Sequence, residues 1–181
     1  MARTYSDTEP RTVREGMRTS RPPRHLMCVT YLITFCCYGS RVPGEEDVVS
    51  RRNNLVVGRC DAPNASFART SRSAIADGAY TLDSEQRRVV LQAIIGVCQH
   101  RGWTLLAAHV RTAHVHTVIA AETTPERVMN AFKSYASRAL RCKRRWARHG
   151  STLYLWTADA ITNAVRYVVS KQGEPTAVFT G

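Results

Sequence analysis

Only three residues separate two apolar runs near the middle of the chain, and that gap decides how the backbone must turn. The first run is Trp103-Thr-Leu-Leu-Ala-Ala-His-Val110 and the second is His114-Val-His-Thr-Val-Ile-Ala-Ala121. Parallel strands need a connection of a dozen residues or more. Residues 111–113 therefore predict an antiparallel hairpin. Around it the chain must supply further strands to pair with the hairpin and helices to cover it.

Those elements are legible. Leu26 to Tyr38 is rich in β-branched and aromatic residues and reads as a buried strand. Asp83 with Gln86 three residues on makes a capping box, and Val89, Val90, Ala93, Ile94 and Val97 give the helix its apolar stripe before Gly102 ends it. Thr124-Pro125-Glu126 starts a second helix, with Val128, Phe132, Tyr135, Ala136 and Ala139 as its inner face. Leu153 to Trp156 reads as a short strand. Asp159 to about Lys171 is a last helix, with Ile161, Ala164, Val165 and Val168 inward and Gly173 and Pro175 behind it. Strand, helix, strand, strand, helix, short strand, helix is an α+β order: a ferredoxin-like split βαβ with one extra C-terminal helix. The expected division is a disordered basic arm over residues 1–25 and one domain over 26–178. Within that domain the apolar period fails between Gly39 and Tyr80, which reads as a long loop insertion.

Charge narrows the partners. The 181 residues include 26 Lys and Arg against 14 Asp and Glu, a net charge of +12. Such an excess attracts a polyanion, with nucleic acid first and an anionic membrane surface second. No apolar run is long enough to span a membrane, and the polar, Arg-rich start has no apolar core of a secretory signal. The six cysteines, at 28, 36, 37, 60, 98 and 142, show no CxxC pair or zinc-finger spacing, and read as reduced thiols, mostly small core residues, of a cytoplasmic protein. Lys133, Arg138, Arg141, Lys143, Arg144, Arg145 and Arg148 fall between Ala131 and His149 with no acidic residue among them. With Trp146 as an exposed aromatic, the stretch suits a surface that tracks a DNA backbone. A solvated helix face would have the same composition.

His114 and His116 are two apart on a predicted strand, so their side chains share a face while Val115 points away. Two neutral imidazoles on one face can hold one metal ion. Two surface or core histidines that happen to alternate would give the same pattern. His109, on the preceding strand, is a further donor or a packed polar residue.

Four segments in order carry a resemblance. Leu106-Ala-Ala-His-Val-Arg-Thr-Ala-His114-Val-His116-Thr-Val-Ile119 resembles the strand bearing the HUH motif of single-tyrosine transposases, where U is hydrophobic. Tyr31-Leu-Ile-Thr-Phe35, Val128-Met-Asn-Ala-Phe-Lys-Ser-Tyr-Ala-Ser-Arg138 and Ala164-Val-Arg-Tyr167-Val-Val-Ser-Lys-Gln172-Gly-Glu-Pro175 resemble that family's opening strand, helix and tyrosine helix. The likeness is to transposases of short insertion sequences and their relatives linked to repetitive extragenic palindromes. It implies a DNA-cutting and rejoining enzyme that uses Mg2+ or Mn2+ and a 5′-phosphotyrosine intermediate. It implies single-stranded or hairpin DNA as partner, and a monomer or homodimer as the active unit. By it, Tyr167 is the nucleophile and His114, His116 and Gln172 are the metal ligands. Gln172 stands one place beyond the family's usual position, which here holds Lys171, and Ala113 stands where many relatives carry Asn. By helical angle, Tyr167 falls at the edge of the apolar stripe, with Asn163 and Lys171 on its own face. A catalytically decayed, ferredoxin-like nucleic-acid-binding module and a zinc structural protein are the competing readings. The aromatic signature of RNA-recognition domains is absent.

Overall fold

The computed structural model describes residues 28–40, 64–73, 75, 78–142, 145–171 and 177–181. Residues 1–25, Lys143, Arg144, Gln172, Gly173 and Pro175 lie outside them, as does most of the stretch between Gly39 and Tyr80. The elements run β1 (Val29–Cys37), α1 (Ala65–Ser73), α2 (Ser84–Arg101), β2 (Thr104–Val110), β3 (His114–Ala121), α3 (Pro125–Ala139), β4 (Trp146–Leu155), α4 (Ala158–Ser170) and β5 (Val178–Thr180). The five strands form one sheet in the order β4-β1-β3-β2-β5, antiparallel throughout. The first four of these are the ferredoxin-like sheet; β5 adds an edge beside β2.

Local chemistry sets the boundaries. The Asp83 side chain accepts from the Gln86 amide while the Gln86 side chain accepts from the Asp83 amide, and Gly102 closes α2 at a φ of 67. Thr124 and Thr157 cap α3 and α4 by accepting from Arg127 and Ala160 amides.

The sheet has two unlike faces. On one, Ile33 and Phe35 of β1 and Val115 and Ile119 of β3 share a large core with Val90, Leu91, Ile94, Val97 and Cys98 of α2 and Val128, Met129, Phe132 and Ala136 of α3. Trp103 stands edge-on to Phe132, ring centroids 6.2 Å apart. On the other face, Ala164 and Val168 of α4 pack with Ala107, Val118 and Leu155 in a smaller cluster.

Several expectations need correction. The stretch between Gly39 and Tyr80 is not all loop, since α1 lies in it; its polar, Ser- and Arg-rich sequence hides the helix. The strand expected at Leu153 begins at Trp146, seven residues earlier, because pairing with β1 holds Gly150, Ser151 and Thr152 as well as Trp146 in extended form. The chain from Arg148 to Thr157 is thus mostly a sheet strand leading into α4. Three-residue β5 was missed altogether. On α3, Ala139 is exposed and Tyr135 only half-buried. Among the described cysteines, Cys37 and Cys98 are buried, Cys36 and Cys142 half-buried and Cys28 exposed, so these five are not mostly core.

β4 also bulges. Phe35 faces Gly150 and Cys37 faces Trp146, so Ala147, Arg148 and His149 stand opposite a single β1 residue. The Lys133 ammonium gathers the bulge, donating to the carbonyls of Ala147, Arg148 and His149 at 2.9, 3.5 and 3.2 Å. Gly150 is needed here: a Cβ would collide with the Thr34 carbonyl and lie 2.7 Å from the Met129 sulfur.

Candidate active site

The alternation of β3 sends Val115 into the large core and turns His114, His116 and Val118 toward α4. The His114 and His116 rings stand edge to face with centroids 4.8 Å apart. His116 is 6% exposed, and His114 half-buried. In register with His116 are Thr34 on β1 and His109 on β2, so three polar residues cross the sheet in one row.

Each neighbour does something definite. Thr34 Oγ1 lies 2.8 Å from His116 Nδ1. For His116 to offer its Nε2 lone pair to a cation, Nδ1 must carry the proton and donate it to that hydroxyl. His109 is wholly buried, with Nδ1 3.1 Å from the Val168 carbonyl of α4. Burial holds its pKa below the usual imidazole value, against the opposing pull of that hydrogen bond. Sequence reasoning missed Thr34, because strand register, which makes it a partner of His116, is not written in local spacing.

Tyr167 joins from α4. Ala164 and Val168 anchor the helix, and Tyr167 at its margin is 41% exposed. Its ring meets that of His116 edge to face, centroids 5.7 Å apart. Asn163 and Lys171 are exposed too, and the Lys171 amide donates to the Tyr167 carbonyl at the helix end. Other tyrosines are placed differently. Tyr31 and Tyr154 pack with the opposite core, edge to face at 5.1 Å, and burial pushes the Tyr31 phenol up to about 12 and the Tyr154 phenol upward.

His114 and His116 suit a transition-metal ion, with neutral imidazole nitrogens on one face of a rigid strand. Among the described residues, no group of three His, Cys, Asp or Glu side chains is placed to hold one.

The basic residues divide into two sorts. Arg138, Arg141 and Arg148 are exposed, and the Arg138 guanidinium lies 5.2 Å from the Tyr135 ring centroid. Lys133 is taken up by the β4 bulge, where burial pulls its pKa down to about 8. Arg145 lies over the Tyr80 ring, 4.0 Å from the centroid, and donates to the Cys142 sulfur. Trp146, expected to be exposed, is half-buried against Phe35, ring centroids 5.1 Å apart. The exposed tryptophan is Trp156, stacked on Tyr154.

No described helix is long and apolar enough to cross a membrane. A search of curated proteins found no significant match. Among solved structures, that of a REP-associated tyrosine transposase bound to a REP hairpin matches with a TM-score of 0.49 and 15% identity, over 84% of this chain and 72% of that one. The family model for IS200-like transposases matches residues 79–169, half of the 181-residue chain. Those residues hold both histidines of β3 and the tyrosine of α4, and the chain belongs to the IS200-like transposase family.

Proposed function

We propose that the protein cuts and rejoins single-stranded DNA next to a hairpin, with Tyr167 as nucleophile. The supporting observation is the contact between Tyr167 and His116, which puts a phenol beside two imidazoles on one face of the sheet. The phenol loses its proton to solvent, and its oxygen attacks a backbone phosphorus. The bond to the 3′ oxygen breaks, and that oxygen leaves as a hydroxyl, so a 5′-phosphotyrosine remains. Attack by a 3′ hydroxyl on this ester reverses the step and releases Tyr167.

His114 and His116, with Gln172 as third donor, would hold Mn2+ or Mg2+, and the bound ion would polarise the scissile phosphate. Exposed Arg138, Arg141 and Arg148, continued by Lys143 and Arg144, would grip the hairpin backbone. The active unit is a monomer or a homodimer, and the compartment the cytoplasm.

A second reading, a binding-only copy, draws on Lys171, which ends α4 where the family carries a ligand. Incubation of labelled hairpin oligonucleotides with the protein, with and without Mn2+ or Mg2+, separates the two. A metal-dependent covalent adduct supports the enzyme; hairpin binding without any adduct supports the binding-only copy.

A further inference from the structure

The proposed chemistry leaves His109 unused, although it stands beside His116 in the strand register and is wholly buried. Its hydrogen bond goes to the Val168 carbonyl. Val168 lies in the last turn of α4. A carbonyl only accepts, so His109 Nδ1 carries the proton and donates it. That fixes the tautomer and leaves Nε2 as a buried acceptor with no partner among the described residues.

We infer that His109 is a positioning residue for Tyr167. The bond ties the last turn of α4 to β2 at the residue next to Tyr167, while the Tyr167 ring lies against His116 on β3. The two contacts are one strand apart. Without the tie, the apolar packing of Ala164 and Val168 resists loss of the helix but sets its rotation and axial position only loosely. A small shift of the helix end moves the phenol oxygen away from in-line attack, and misplacement on the ångström scale is costly in rate. The role rests on the proposal that Tyr167 is the nucleophile.

Two variants test it. His109→Leu keeps the volume and removes the donor; His109→Asn keeps an N–H at the place of Nδ1. With hairpin oligonucleotide at saturation and Mn2+ present, His109→Leu should form adduct about tenfold or more slowly, with hairpin affinity within about twofold of wild type. His109→Asn should recover most of the rate. Wild-type rates in His109→Leu, or a folded His109→Asn no faster than His109→Leu, would overturn the inference.

A second measurement does not depend on catalysis. In protein carrying 3-fluorotyrosine, the residue-167 fluorine resonance is assigned by its loss in Tyr167→Phe. It should shift or broaden in His109→Leu and return in His109→Asn; an unmoved resonance in His109→Leu overturns the positioning role. If Tyr167→Phe still forms adduct, the nucleophile assignment fails by itself, and the fluorine resonance still decides whether His109 positions residue 167.

Discussion

Tyr167 and His116 meet edge to face with ring centroids 5.7 Å apart, one from the last helix and one from a central strand of the same chain. Tyr167→Phe keeps the ring and removes the oxygen proposed to attack. It should fold, bind hairpin DNA within about twofold of wild type, and form no adduct. Mixing it with His116→Ala should not restore cleavage, since the two groups meet within one chain. Restored cleavage in the mixture, read on a denaturing gel, would mean that the sites are shared between subunits.

Thr34 reaches the proposed metal site through its hydroxyl, 2.8 Å from His116 Nδ1. Thr34→Val is nearly isosteric and deletes the acceptor that holds the ring and its tautomer. Mn2+ affinity, followed by electron paramagnetic resonance, should weaken roughly 10- to 100-fold. An unchanged affinity would remove Thr34 from the account of the site.

The exposed arginines should govern salt dependence. Every phosphate that a variant leaves unneutralised should flatten the slope of log affinity against log salt by about 0.9 on a duplex stem and about 0.7 on a single strand. Replacing Arg138, Arg141 and Arg148 with Ala together should flatten it by about 2 to 3 if all three touch phosphates. Arg145→Ala should instead lower the melting temperature, because its guanidinium lies on Tyr80. An unchanged slope in the triple variant would place the DNA on another surface.

Lys133→Met separates architecture from grip. The stem still packs near Phe35, but three carbonyls of the β4 bulge are deprived of their donor. Urea unfolding should show a loss of roughly 1–3 kcal/mol, while the salt slope stays at the wild-type value. A flatter slope with full stability would return Lys133 to the DNA surface.

His109 should make stability sensitive to acid. Its folded pKa lies below the ordinary imidazole value because burial disfavours the cation. As pH falls below about 6.5 the unfolded chain takes up the proton first, so this contribution is present above that value and is lost going down. His109→Asn should show a flatter fall in urea midpoint below about pH 6.5 than wild type does. Identical curves would show that His109 does not contribute to the acid limb.

What the sequence made legible follows the range of the physics involved. The capping box at Asp83, the Pro start at Pro125 and the three-residue hairpin are local, and each stands where spacing puts it. His114 and His116 share a face because strand periodicity is also local. The pairing of Thr34 with His116 spans 82 positions and depends on register, which no window of residues contains. β4 was read too short because its first half is held by β1 and by Lys133, not by its own apolar pattern. The basic stretch showed composition but not direction: Arg138 and Arg148 face solvent, whereas Lys133 and Arg145 turn back into the protein.

The two strands that flank α4 in sequence, β4 and β5, are the opposite edges of the sheet. Its 13 residues extend about 20 Å, close to the roughly 19 Å taken by four interstrand gaps. The tyrosine helix is therefore moored like a bridge at both banks. For the helix to dock on a second subunit, β5 would have to leave β2 or β4 leave β1, and the longer ladder of β4 makes the three residues of β5 the cheaper break.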